Sequence, residues 1–186
     1  MLSFSDVICL SETWIQHEDL ADELELSGYQ CRFNSVKEER GKGLAIYCRK
    51  RFCVKNLITT SLIQVSMVFS NELEIIAIYR SKKCQMDINE ILKFCNPNKV
   101  TIVCGDMNFC YKEQKHPWIQ EFIRCGFKQL VKQSTHILGG HIDQFYIRDK
   151  TSQYHADISL YSPYYVAKDH DAICAIVANN NDNRVV

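Results

Sequence analysis

The 186-residue sequence has no surplus of charge of either sign, with 22 lysines and arginines against 22 acids. No global field therefore draws a polyanion, and nucleic-acid affinity would have to come from a local basic patch or a bound metal. No apolar run approaches the roughly 20 residues that cross a bilayer. The segment Met1-Leu2-Ser3-Phe4-Ser5-Asp6 lacks a basic stretch followed by an apolar one, so no signal peptide is expected. Ten cysteines include no Cys-x-x-Cys pair, which argues against a zinc cluster, and the missing leader argues against a secreted disulfide framework. Cys9, Cys48, Cys104 and Cys174 fall inside apolar runs and read as small hydrophobes. These absences leave a reduced, intracellular chain without a membrane partner.

What is present is ordinary for a folded domain, with 46% hydrophobic and 24% charged residues. Nothing resembling a linker, repeat or low-complexity segment divides the chain, so one domain over 1–178 and a frayed tail over 179–186 are expected. Short β-branched stretches predict strands at 6–10, 29–33, 43–49, 61–69, 73–79, 100–104, 141–147 and 172–178. Helical spacing of apolar residues marks 87–94, where Asp87 suits a cap, and 118–125, which Gly126 would stop. An acidic surface helix is expected at 18–26. Strands that come both in consecutive groups and around helices point to an α+β fold, two β layers with helices outside.

Acids, amides and a histidine interrupt the ends of these apolar strands. Thr101-Ile102-Val103-Cys104 ends at Gly105, which lets the chain turn so that Asp106 and Asn108 emerge together. Taken singly, Gly-Asp-x-Asn is an Asx-type turn as often as a site. Four other places share the pattern: Leu10-Ser11-Glu12-Thr13-Trp14, Ile78-Tyr79-Arg80, Ile142-Asp143-Gln144 and Lys168-Asp169-His170. Glu12 alone reads as a helix-entry residue, Tyr79 as a core aromatic, Asp143 as half of an ion pair and Asp169-His170-Asp171 as a solvated loop. Their order along the chain makes the group informative.

That order resembles the endonuclease/exonuclease/phosphatase superfamily, most closely the apurinic-endonuclease-like endonuclease domains of non-LTR retrotransposons. Those carry Leu-(Ser/Thr)-Glu-Thr-Trp, a Gly-rich Ala-Ile-Tyr strand, Ile-x-x-Tyr-Arg, Gly-Asp-Phe-Asn, Ile-Asp-His and Ser-Asp-His in this sequence order. The resemblance implies a four-layer α/β/β/α sandwich of the deoxyribonuclease I type and a phosphodiesterase dependent on Mg²⁺ or Mn²⁺, acting on DNA in the nucleus without an obligate protein partner. It assigns Glu12 and Asp169 to the metal, whose hard shell suits carboxylates. Asp106 becomes the base for the attacking water, with Asn108 holding it. His170 becomes a donor to the scissile phosphate oriented by Asp143, and Tyr79 a further phosphate contact. Arg80, Lys82 and Lys83, just beyond Tyr79, become substrate-binding cations.

Three departures stand out. Gln144 replaces a frequent histidine and Lys168 a frequent serine, both at positions without a carried-over role. The family's first strand, which supplies a metal-supporting asparagine, has no counterpart in 1–10. An N-terminally truncated copy is the expectation, with neighbouring strands left unpaired. A catalytically weak or dead remnant, at most a binding module, is thus an alternative to an active nuclease; a phosphatase on phosphoinositide-like substrates is a further one. The basic group Arg40, Lys42, Arg49, Lys50, Arg51 and Lys55 reads equally as a backbone-binding patch and as a solvated face. His136 and His141 read as turn or packing residues rather than ligands.

Overall fold

β-branched residues crowd the middle of the chain and there build its largest sheet. The computed structural model describes residues 5–15, 24–34, 42–161 and 169–180. In chain order the strands are β1 (Val7–Ser11), β2 (Tyr29–Asn34), β3 (Leu44–Arg49), β4 (Cys53–Thr59), β5 (Ile63–Phe69) and β6 (Leu73–Arg80). Then follow α1 (Asn89–Leu92), β7 (Val100–Asp106), α2 (Pro117–Arg124), β8 (Lys128–Gln129), β9 (Asp143–Arg148), β10 (Tyr154–Tyr161) and β11 (Ala172–Asn179). The six-stranded sheet runs β4-β5-β6-β7-β9-β8, with β6 and β7 parallel and the other neighbours antiparallel.

Strand periodicity gives this sheet two different faces. On one, Ile63, Val65 and Met67 of β5, Ile76 and Ile78 of β6, Val103 of β7 and Tyr146 of β9 meet Trp118, Ile119 and Phe122 of α2 and Ile91 of α1. The other face packs on a second β layer. Val68 and Ala77 meet Leu44, Ile46 and Cys48 of β3, while Ile102, Phe145 and Ile147 meet Val177 of β11 and the apolar side of β10. That layer is in two pieces, β1-β3-β2 and β10-β11. Among the described residues β1 pairs with β3 alone.

The expected mixed architecture with two β layers is therefore found, and the differences are local. β4, β8 and β10 were not anticipated. β4 is an outer strand with a bulge between Asn56 and Ile58, which breaks its alternation. The helix expected at 87–94 is confined to Asn89–Leu92; Asp87 Oδ1 accepts the Asn89 N–H at 2.9 Å, but the capping position is Ile88, which makes no side-chain cap bond. The expected surface helix at 18–26 lies mostly outside the described residues. β11 extends to Asn179, and the Asn180 N–H donates to the Gln153 carbonyl, so the sheet reaches into the segment expected as tail.

Gly105 is the position at which the large sheet tolerates no side chain. Its φ is +131°, and a Cβ there would stand 2.0 Å from the Ile78 carbonyl oxygen of the parallel neighbour. Gly105→Ala is expected to cost upward of about 3 kcal/mol, combining a disallowed backbone with a backbone clash. Urea unfolding of the variant measures this; an unchanged midpoint would contradict the close approach of β6 and β7.

Candidate active site

Three strands bring three polar side chains into one row. Tyr79 of β6 is in register with Asp106 of β7, and Asp106 with Asp143 of β9. Period-two alternation places Tyr79 with Ile75 and Ala77, Asp106 with Ile102 and Cys104, and Asp143 with Phe145 and Ile147, all on the face turned toward the second β layer. Apolar neighbours keep that row dry, and the strand ends keep it reachable. Asp106 is only 4% exposed.

The loops complete the cluster. Asn108 adopts φ +51°, and its backbone N–H and side-chain amide both donate to Asp106, at 2.9 and 3.1 Å. The Asx-type turn is thus real, and it satisfies both oxygens of the acid it orients. Glu12 follows β1 in a left-handed conformation, φ +53°, within a loop tied to the Lys42–Gly43 backbone by the Thr13 and Trp14 N–H groups. Its carboxylate acts on the Tyr79 hydroxyl and favours the protonated phenol. His170 Nδ1 lies 2.8 Å from Asp143 Oδ2. The segment carrying it is fixed by Ile137 N–H to Asp169 O and Asp171 N–H to Thr135 O, while Thr135 Oγ1 accepts the Asp143 N–H.

The electrostatics follow from burial and like charge. Burial, reinforced by Asp143, pushes the Asp106 carboxyl up to about 7, with Glu12 adding in the same direction. The Asp143 hydrogen bond raises His170 to about 9 against the opposing effect of burial. Burial and then Glu12 push Tyr79 well above the ordinary phenol range, so it is a neutral donor. Carboxylate oxygens of Asp106 and Asp143 and a ring nitrogen of His170 lie within 4.8 Å of one another. The two carboxylates are donors of the kind a divalent cation takes, whereas the His170 ring is engaged with Asp143 as a donor and is no ligand. Hard carboxylate oxygens converge on one spot, and Asp106 is raised by burial first and by the like charges of Asp143 and Glu12 after it, with partial relief from Asn108 and His170.

Seven of the expected site residues are therefore found at one end of the sheets: Glu12, Tyr79, Asp106, Asn108, Asp143, Asp169 and His170. The expected substrate cations are placed differently. Arg80 is 7% exposed and faces the helix side of β6, where its guanidinium donates to the Met107 and Cys84 carbonyls and lies over the Phe109 and Trp118 rings. It lines a separate cavity of about 390 Å³ with His116 and Trp118. Alternation along β6 forces this, because adjacent residues cannot share a face. Lys82 and Lys83 stand exposed in the following turn.

The basic group near β3 and β4 is largely engaged within the molecule. Arg49 stacks on Tyr29, Arg51 pairs with Asp6 at 2.6 Å, and Lys55 lies over Phe69, while Arg40 falls outside the described residues, as does Lys168. Gln144 is buried on the helix side and donates to the Phe109 carbonyl. His141 packs against Tyr111, as expected. His136, expected as a turn or packing residue, packs its ring edge-on against His170 with centroids 4.8 Å apart. Its neighbourhood to His170 is made by a tertiary bridge that the sequence spacing does not reveal.

Comparison with known proteins bears on the family and the fold. The profile of the "Endonuclease/Exonuclease/phosphatase family" matches residues 2–159. No curated protein matches the chain. Among solved structures, the fold is similar to the endonuclease domain of TRAS1, a telomere-specific non-LTR retrotransposon, with TM-score 0.65 and 12% identity over 97% of this chain and 88% of that one. An AP endonuclease from Archaeoglobus fulgidus superposes with TM-score 0.64 and 14% identity over 96% and 90%. The APE2 catalytic domain of Xenopus laevis gives 0.59 and 15% over 97% and 87%. The fold is thus the four-layer α/β/β/α sandwich.

Two measurements test the electrostatics. In Asp143→Asn the His170 imidazole loses its raising partner, so its NMR titration midpoint should fall from about 9 toward 6.5; an unmoved midpoint contradicts the pairing. A carboxyl raised on folding costs stability as pH climbs from its unfolded value through its folded one, here up to about 7. Asp106→Asn should therefore melt higher than the parent at pH 8, with the Asn108 amide turned to accept, and the gain should vanish at pH 4.

Proposed function

The chain belongs to the endonuclease/exonuclease/phosphatase family, and we propose that it hydrolyses DNA phosphodiester bonds as a metal-dependent nicking endonuclease. The observation that carries this reading is the in-register row Tyr79–Asp106–Asp143 with His170 seated on Asp143. Nuclease and AP endonuclease relatives of the same fold support the class of reaction.

Asp106 takes the proton of the attacking water. Its value near 7 suits a general base at neutral pH, because the carboxylate is available yet basic enough to accept. Asn108 holds it in place through two N–H donors. His170, cationic through Asp143, donates from Nε2 to the scissile phosphate, where negative charge builds in the transition state. Tyr79 remains protonated and adds a neutral donor beside Glu12. Glu12 and Asp169 would hold Mg²⁺ or Mn²⁺, which when bound neutralises phosphate charge and offsets the clustered acids. DNA as the partner and the nucleus as the location belong to the same proposal.

A second reading has one observation in its favour. The second β layer is in two pieces, with β1 partnered on one side only among the described residues. A site resting on such an edge suits a weakened or inactive relative that at most binds its ligand.

Supercoiled plasmid is expected to be nicked in Mg²⁺ and spared in chelator, with Asp106→Ala and His170→Ala each at least about a hundredfold slower. Full activity in both variants would remove the assignment, and a folded but inert parent favours the second reading. Release of phosphate from inositol phosphates without DNA cleavage would redirect the substrate class. The rate should rise with pH as Asp106 ionises, at or below about 7 since a bound cation lowers nearby acids. It should fall again near 9 as His170 loses its proton.

A further inference from the structure

His136 shares an antiparallel bridge with His170, and the two rings meet at 89° with centroids 4.8 Å apart. One ring nitrogen of His136, a carboxylate oxygen of Asp169 and a ring nitrogen of His170 lie within 4.8 Å of one another. Two imidazoles and a carboxylate at that spacing can serve either of two chemistries. They can ligate a transition metal through ring lone pairs, or they can offer ring N–H groups to an anion.

The hydrogen bond made by the other His136 nitrogen decides between them. Nδ1 accepts the Leu138 N–H at 3.1 Å. A neutral imidazole that accepts at Nδ1 carries its proton on Nε2. Metal ligation through Nε2 would need that proton on Nδ1, where it would face the Leu138 donor. Donation from Nε2 leaves the turn undisturbed. His170 makes the opposite hydrogen bond, donating Nδ1–H to Asp143, and in the cationic form that Asp143 favours its remaining Nε2–H is a donor as well.

The support beneath His136 is rigid. Its N–H and that of Thr135 both donate to the Gly140 carbonyl at 3.0 Å, and its own carbonyl accepts from Gly139 N–H at 2.8 Å and Ser134 Oγ at 3.0 Å. Ile137 N–H, bonded to Asp169 O at 2.9 Å, ties this turn to the segment that carries His170. A donor fixed in this way does not have to reorganise as charge develops.

We propose that His136 is a second phosphate-contacting imidazole, donating from Nε2 to a nonbridging oxygen of the phosphodiester that His170 engages. This rests on the phosphodiesterase reading of the site. The Asp169 carboxylate disfavours an anion unless its charge is offset, which is the part a hard cation plays in that reading.

Long-range proton–nitrogen NMR on histidine-labelled full-length protein tests the assignment, with dimethyl phosphate titrated in the presence of Mg²⁺. The His136 ring should show its proton on Nε2, and the Nε2 signals of His136 and His170 should move together. A shift at His170 alone overturns the role of His136 and leaves the phosphate site standing. No shift at either overturns both, and a proton found on Nδ1 of His136 overturns the donor geometry. His136→Asn supplies the kinetic arm, since its side-chain oxygen can still accept the Leu138 N–H in an Asx turn while the imidazole donor is gone. It should lower kcat/KM for plasmid nicking by about ten- to a hundredfold, with the melting temperature and Mg²⁺ requirement unchanged. Full activity in this folded variant overturns the proposal.

Discussion

The close parallel approach of β6 and β7 at Gly105 is the constraint on which the site depends. The absence of a side chain there lets the β7 backbone lie where a Cβ would stand 2.0 Å from the Ile78 carbonyl. That approach sets Asp106 directly beside Tyr79, and the antiparallel pairing with β9 then sets Asp143 on its other flank. A register slip of one residue would turn each of these side chains to the helix face. The apolar packing of Ile102, Phe145 and Val177 around the row excludes water, and the exclusion of water is what raises Asp106.

The opposite face of the same strand ends braces the site from behind. Arg80 donates to the carbonyl of Met107, the residue between Asp106 and Asn108, and Gln144 donates to the carbonyl of Phe109 just beyond. Arg80 has no carboxylate partner within salt-bridge distance among the described residues. Two carbonyls and the faces of Phe109 and Trp118 accommodate its charge instead. One strand end therefore carries chemistry toward the second β layer and support toward the helices. Truncating Arg80 would act on the Asp106 turn without touching any group in front of it.

Much of this was legible residue by residue. β-branched runs located β1, β2, β3, β5, β6, β7, β9 and β11, and the acids and histidine at their ends marked the site. β10 carried a readable signal as well: Tyr154, Ala156, Ile158 and Leu160 alternate with polar residues, and its inward side packs on the large sheet. β4 was obscured because an outer strand with Lys55 and Asn56 does not need an apolar pattern on both faces. Arg80 was misplaced by proximity to Tyr79 in sequence, where strand geometry separates neighbours most. The contact between His136 and His170 was not legible, because 34 positions separate them in sequence and only folding closes that distance.

The sequence by itself determined which residues could ionise, where the chain could turn and which family's order of motifs it follows. Those are local properties, set by side-chain chemistry and by glycine. Tertiary structure alone decided which of these groups share a face, how far Asp106 is removed from water and which nitrogen of His136 is free. Each of these depends on what a distant strand places alongside: a carbonyl at Gly105, a carboxylate beside Asp106, an imidazole beside His136. Burial and register are properties of neighbours, and neighbours exist only once the sheets have formed.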